Sequence, residues 1–554
     1  MKITKTQNRV FFLYISLKFH KKGSQILVKF FLSKYNDNGR LIMKKHNTFK
    51  VVLITILVLV LLTWILPAAY YSGSYIDQGR VQMGIFDLFN YPVTAISYFG
   101  YIAMYVLIVG GFYGVLNKIG AYRTMLDKLV SKFKGKEVVI LSIMMVLISI
   151  LTSVCGLQLG LVIFFPMIIS LILLMGYDKI VAALAIVGST MIGMLGTTYG
   201  YNNTGIIPSI LGNGFADQIL TKCILLFLGM VLLIFNTIWY IKKSKSATKK
   251  ANVKKVEAKE EKKTTKTTKS TKNSKTKSSQ DTKAAVKEEK VIVVTEDNEE
   301  ESYVPATISG KKHVVWPLAL ILFIIFVILV LAFISWSGAF GLTAMQDATT
   351  AVTSFEVFGF ALFGKLLGTV NAFGSWSLVD VSVVLMVFML ILALIYKVKF
   401  NEVIDGFIAG AKRALGPAVI VVLLYTILVI TTYHPFQLVI YKAILGITDG
   451  FNVFTTFVVA ILSALFNVDP AYAFQSSLPY FASIVTNADN YPIAAVVYQA
   501  AYGLTMLVAP TSLVLMGMLS YLKIPYGKWF KTIWKLLLEL LVLLLIVFTI
   551  LILI

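Results

Sequence analysis

The chain reads as an all-α polytopic membrane protein with about 10–12 transmembrane helices, arranged as two inverted-topology repeats with re-entrant hairpins and broken helices. Three observations carry that expectation. Of 554 residues, 58% are hydrophobic and 14% charged, with a mean hydropathy of +0.81, a composition foreign to soluble domains. Apolar runs close to the ~20 residues of a spanning helix recur along the chain, too continuous for the alternation of a membrane barrel. Two apolar stretches are broken by proline, glycine and hydroxyl residues at matching places, Gly196–Gly205 and Ala509–Ser512. An opened helix is tolerated at membrane depth only where protein or a polar cavity serves its freed backbone groups.

The net charge of +24 would suggest nucleic acid in a soluble protein. Here the basic residues fall in connecting segments and one long insert, which points to topology and attraction to the lipid surface, with no nucleic-acid partner. Cys155 and Cys223 lie in or beside apolar runs and make no disulfide or zinc pattern.

Residues 1–50 form a basic tail; Met43-Lys44-Lys45 before the first apolar run marks 1–42 as an upstream extension of the start, or else a cytosolic tail. The first membrane half is 51–241. It opens with a span at about 51–66, then a moderately polar loop and a second span from about 97 to 116. Lys118, Arg123, Lys128, Lys132, Lys134 and Lys136 follow, which places that connection and the N-terminus in the cytoplasm. A third span at about 138–154 leads to 156–175, interrupted by Gly160 and Pro166, which reads as a crossing or a re-entrant hairpin. A further span frays at Thr197–Gly205, and one at about 223–240 closes the half. Residues 242–313, rich in Lys, Ser and Thr, hold too few apolar residues to bury a core and read as a disordered cytoplasmic insert. The second half, 314–554, has spans at about 314–333, 380–396 and 414–432, an apolar run at 453–466, an interrupted stretch at 467–484, the broken stretch 493–522 and a last span from about 534.

The same separation holds between Pro166 and Thr197 as between Pro479 and Pro510, and each break precedes one closing span. The run at 138 starts from a basic loop while the run at 453 starts on the far side, so equivalent elements enter from opposite faces.

Enzyme constellations are absent: there is no Walker motif, nucleophile elbow or clustered histidine set. The chain is therefore expected not to be an enzyme, to use no cofactor and no metal, and to draw energy from a gradient, with Na+ or H+ as the coupling ion. The polar residues available at membrane depth are Gln158, Thr197, Thr198, Asn202, Asn203, Asp469, Gln499, Tyr502, Thr511 and Ser512, suited to a polar solute. Each also has a plain interhelical role open to it. For Asp469 the alternatives are an ion or ammonium site and a helix cap beside Pro470. Asp380 reads as a cap, and Glu539 as the partner of Lys535 one turn away.

The stretches Ile108–Ala121 (IVGGFYGVLNKIGA), Ile404–Lys412 (IDGFIAGAK), Pro510–Ser512 and Ile524–Trp529 (IPYGKW), with Thr63–Pro67 (TWILP), resemble the YfcC-type branch of the C4-dicarboxylate anaerobic carriers. The similarity covers 43–241 and 314–554. It implies secondary transport across the cytoplasmic membrane on an inverted-repeat, hairpin-containing fold, of dicarboxylates in some relatives and by arginine–ornithine exchange in others. Many relatives of this broad fold pair, so a homodimer is the assembly implied. The family pattern has an acidic pair where this chain has Leu159-Gly160, an Asn-Pro where it has Gly200-Tyr201, a Gly/Ser-rich tip where it has Val468–Ala471, and an Asp where it has Tyr502. The scaffold carries over; the substrate and coupling ion do not.

The expected function is a symporter or antiporter for a small carboxylate-bearing solute, a C4-dicarboxylate or an amino acid. An arginine/ornithine-type antiporter is the alternative. A channel, or a scaffold using the basic insert, is the alternative of a different class.

Overall fold

The computed structural model describes residues 47–267, 303–306, 314–368 and 370–553, without the side chains of Asn202, 245–267 and Leu367. The basic tail before residue 47 and most of the insert expected over 242–313 lie outside the described residues.

Among the described residues, eight helices are long and apolar enough to cross a membrane; the other membrane-type elements are shorter, as hairpins and broken helices require. The first half runs α1 (Asn47–Ile65), a β1–β2 hairpin (Ala68–Tyr71, Tyr75–Gly79), α2 (Ile85–Leu116), amphipathic α3 (Gly120–Lys132) and α4 (Glu137–Cys155). A 3-10 turn (Gly160–Phe164) and α5 (Phe165–Leu174) follow. Then come the apolar helix α6 (Lys179–Leu195, with a π turn inside), a turn at Tyr201–Thr204, α7 (Ile206–Leu211) and α8 (Ile219–Thr267). α8 continues past Tyr240 into the first part of the lysine-rich stretch.

The second half runs α9 (Trp316–Phe333), a long connection of short helices with a two-residue ladder (β3, Glu356–Val357; β4, Phe360–Ala361), α10 (Leu378–Ile395) and α11 (Phe400–Tyr433). It continues with short α12 (Gln437–Leu445), α13 (Val453–Phe466), α14 (Pro470–Ile484), α15 (Tyr491–Met506), α16 (Leu513–Leu522) and α17 (Tyr526–Leu553).

Packing follows the same plan in both halves. α1 lies on α11 while α10 lies on α2; α4 packs on α6 and α13 on α15; α3 supports α5 and α12 supports α14; α6 meets α8 and α15 meets α17. Across the centre α2 crosses α11 and α6 packs on α15. The α2–α11 crossing is made by glycines. A Cβ on Gly110 would stand 2.7 Å from the Gly410 carbonyl oxygen, and one on Gly410 would stand 2.8 Å from Gly114 Cα. Gly110/Gly114 and Gly406/Gly410 are thus paired small-xxx-small motifs whose backbones touch. They lie inside two of the stretches that carry the family resemblance.

Two helices are longer than expected. α2 begins at Ile85 rather than near residue 97, and α11 begins at Phe400 rather than near 414. In both, an extra first section holds polar or basic residues (Asp87, Asn90; Lys412, Arg413) that lower local hydropathy without breaking the helix. Pro92 and Pro417 sit inside these helices. Asp380 forms a capping box with Ser377 at the start of α10, and Glu539 lies 3.5 Å from Lys535 and accepts from Asn236 of α8.

Candidate functional site

Two helix breaks and two hairpin tips converge where α6 and α15 pack. The first break follows α6. Its freed donors are taken by the end of α4: the amides of Thr198 and Gly200 donate to the Ser153 carbonyl at 3.0 and 2.9 Å. The Ser153 hydroxyl donates to the Gly196 carbonyl at 2.7 Å and stands 3.1 Å from the Thr198 hydroxyl. The Thr197 hydroxyl donates back to the Met194 carbonyl at 2.9 Å, and the Asn203 amide donates to the Thr152 carbonyl at 3.1 Å. Asn202 lies in the same turn, its side chain outside the described residues. Thr197, Thr198 and Asn203 are buried and occupied by these bonds, the arrangement that lets an opened helix survive in an apolar surround.

The second break, between α15 and α16, is served from α17. The Trp529 indole donates to the Leu507 carbonyl at 2.9 Å, and the Tyr526 hydroxyl donates to the Val508 carbonyl. Ser512 caps α16, its hydroxyl accepting from the Leu515 amide at 3.4 Å. The Ile524–Trp529 motif therefore closes the break set by Pro510. The Thr511 hydroxyl is fully buried and has no hydrogen-bond partner.

The breaks are joined directly. The Gln499 amide of α15 donates to the Thr197 carbonyl at 3.0 Å, and Gly503 lets α15 approach α6 so closely that a Cβ there would lie 2.6 Å from Leu195 Cα. One turn on, the Tyr502 hydroxyl reaches both hairpin tips: the Val468 carbonyl at 3.5 Å and the Gln158 side chain. The Tyr105 hydroxyl of α2 anchors the first tip through the Leu159 and Gly160 carbonyls, each at 3.2 Å. So Gln158, Gln499 and Tyr502 are brought together with the hairpins.

At the second tip Asp469 is the N-cap of α14 and accepts from the Ala471 amide at 2.9 Å. Pro470 at the first helical position fits that role. The cap reading of Asp469 is what its bonds show. Tyr101, Tyr425, Tyr472 and Tyr502 are its electrostatic neighbours. Among the described residues no lysine or arginine lies at ion-pair distance from it.

Beside this tip is a cavity of about 330 Å3 whose lining is mixed, with Thr431, Gln437, Asn467, Tyr472, Gln475 and Ser476 among its polar members. The Asn467 amide donates to the Ser463 carbonyl at 2.9 Å and to the Ser476 hydroxyl at 3.3 Å, and reaches the Gln437 oxygen at 3.4 Å. Gln437 is 4% exposed, and its amide nitrogen has no partner. A buried amide without an acceptor costs free energy unless something else supplies one. Gln437 and Asn467 were not among the candidates read from the sequence. Nothing in the His434-Pro435-Phe436-Gln437 stretch signals a cavity, because that stretch reads as a helix end. His434 itself is structural: its ring nitrogens pair with the Tyr91 hydroxyl at 2.8 Å and the Val81 carbonyl at 2.7 Å.

On the lysine-rich side, a small apolar cavity of about 80 Å3 separates the α2–α11 pair from the first hairpin and α16. Among the described residues no cluster of His, Cys, Asp or Glu could hold a metal ion.

A family model described as DcuC, C4-dicarboxylate anaerobic carrier, matches residues 46–553. A relative from Haemophilus influenzae, described as an uncharacterized protein, is 29% identical over 174 residues, 31% of this chain; the match spans about a third (34%) of that relative's length. Among solved structures, the YdaH transporter of Alcanivorax borkumensis, described as having an unusual topology, aligns over 90% of this chain and 97% of that one, at 14% identity and a TM-score of 0.36. With the match running from the first span through the last, the chain belongs to the C4-dicarboxylate anaerobic carrier family.

Proposed function

We propose that the protein is a secondary active transporter that moves a small carboxylate-bearing solute, a C4-dicarboxylate or an amino acid, across the cytoplasmic membrane. The observation that carries the reading is the cavity at the second hairpin tip, which Gln437 lines together with Asn467, Ser476 and Thr431. Neutral donors of this kind can bind a carboxylate and release it again. Membership of a carrier family supports the transport class and, with it, a protein that is not an enzyme.

The lysine-rich ends of α3, α11 and α16 face the cytoplasm in this reading, together with the N-terminus and the insert. α1 then runs outward and its counterpart α10 inward, which makes the halves inverted repeats. The hairpin-bearing elements move against the glycine-locked α2–α11 pair to give alternating access. Asp469, without a basic partner among the described residues, is the coupling site for Na+ or H+. The same carboxylate favours a second reading, an arginine/ornithine-type antiporter in which Asp469 receives a substrate ammonium.

The test is ligand-dependent stability of the purified protein. A true substrate at about 100 times its Kd adds about 2.7 kcal/mol of stability. Succinate, arginine and ornithine are compared on the wild type and on Gln437→Leu. Stabilisation by one class, lost in Gln437→Leu, supports the site; stabilisation untouched by the substitution removes the cavity from the account.

A further inference from the structure

The segment Tyr303–Pro305 belongs to the insert between the halves, yet it is fastened to both of them. The Tyr303 carbonyl accepts from the Ser170 hydroxyl of α5 at 2.6 Å. The Tyr303 hydroxyl donates to the Tyr521 carbonyl at the end of α16, at 2.7 Å. The two tyrosine rings meet edge to face with centroids 5.5 Å apart, and the Lys179 ammonium lies 5.1 Å from the Tyr303 ring centre. Two residues on, the Pro305 carbonyl accepts from the Arg123 guanidinium of α3 at 2.8 Å. Arg123, Ser170 and Lys179 belong to the first half and Tyr521 to the second.

The place of this clip matters. The small apolar cavity between the α2–α11 pair, the first hairpin and α16 has Val162, Phe165 and Pro166 on one wall and Val514, Gly517 and Tyr521 on another. The seam between its α5 and α16 walls ends, at Tyr521, on the lysine-rich face. Tyr303 bonds α5 with its backbone and α16 with its side chain, so it spans that seam. A second cavity, of about 470 Å3, lies on the basic side of Tyr303 and is lined also by Lys412, Arg413 and Lys523. Tyr303 lines that basic recess, and the Tyr521 to which it bonds lines both the recess and the apolar cavity.

We propose that Tyr303–Pro305 is a latch that holds the cytoplasmic side of the inter-half seam shut, so that the insert controls the step that opens the carrier inward. This rests on the alternating-access reading above. The latch is a property of this chain's insert and stands outside the repeated elements. Its release breaks named bonds, chiefly Tyr303 to Ser170 and Tyr303 to Tyr521, so anything that draws Tyr303–Pro305 out of the seam favours the open state.

The test reads the seam without any solute. In a full-length chain with Cys155→Ala and Cys223→Ser, Val162→Cys places one thiol on the cavity wall, and its reaction with a bulky polar thiol reagent is timed in lipid nanodiscs. If labelling follows the population of the open seam, loss of one part-buried hydrogen bond in Tyr303→Phe raises the rate about three- to tenfold. Tyr303→Ala, which also removes the ring contacts, raises it further. Ser483→Ala, an exposed site on the second hairpin, leaves it unchanged. Equal rates in wild type and both Tyr303 variants overturn the latch. Tyr303→Phe keeps the ring between Tyr521 and Lys179, so it reports even if Tyr303→Ala unfolds. If no solute is transported but labelling still rises, the transport reading fails and the latch stands; transport with unchanged labelling does the reverse.

Discussion

Replacing Trp529 by phenylalanine removes one N–H from the protein interior and tests how the second helix break is held. The indole of Trp529 is fully buried and donates at 2.9 Å to the carbonyl of Leu507, itself fully buried. Without that donor the carbonyl has no water to turn to, and leaving it unpaired costs about 1–3 kcal/mol. The smaller ring also leaves a gap, worth roughly 1 kcal/mol. A loss of about 2–4 kcal/mol is expected, large for a protein whose total stability is on the order of 5–15 kcal/mol. The control is Trp534→Phe on the same helix, where the side chain is 51% exposed and the change should stay within about 0.5 kcal/mol. Reversible unfolding in mixed detergent micelles measures both. If Trp529→Phe costs no more than Trp534→Phe, the break is not supported from α17, and the role given to the Ile524–Trp529 motif is wrong.

The other predictions follow from the same bonds and contacts. Gly410→Ala sets a Cβ against the backbone of Gly110 and Gly114; backbone cannot yield as a side-chain tip does, so a loss of about 1–3 kcal/mol is expected, whereas Gly527→Ala, with nothing within 4 Å, should be tolerated. Ser153→Ala strips the hydroxyl that donates to Gly196 and accepts from the Thr198 amide and should cost about 1–3 kcal/mol, read by the same unfolding assay. Asp469→Asn keeps a side-chain oxygen to cap α14 but removes the charge. It should leave stability within about 1 kcal/mol while abolishing ion-gradient dependence of uptake, and unaltered gradient dependence would clear Asp469 of the coupling role.

The hydrophobic pattern made most of the membrane spans legible, because an apolar run near the length of a bilayer has few other uses. It misplaced the starts of α2 and α11, where Asp87, Lys412 and Arg413 dilute the signal. The breaks were visible through Thr197–Gly200 and Pro510, and their neighbourhood suggested that their hydroxyls face a solute. In the structure the Thr197 and Thr198 hydroxyls have partners within the chain, and the residues that close the breaks, Ser153, Tyr526 and Trp529, are distant in sequence, with no local pattern to show it. The family-like stretches turned out to hold the crossing glycines and the α17 anchors, so what made the chain recognisable is largely what holds it together. Gln437 and Asn467 were illegible for the opposite reason. Each is an isolated amide near a helix end, and only the packing of α12 under the second hairpin makes a cavity from them.

The most direct measurement is uptake by proteoliposomes with imposed Na+, H+ and counter-solute gradients, using labelled succinate in one series and labelled arginine against internal ornithine in another. Saturable uptake of one solute by the wild type is expected, with KM raised about ten- to a hundredfold in Gln437→Leu, where one hydrogen bond to a charged group is lost. No saturable uptake of either solute by correctly inserted protein would contradict the carrier reading of this chain, and a saturable uptake indifferent to Gln437 would place the solute elsewhere.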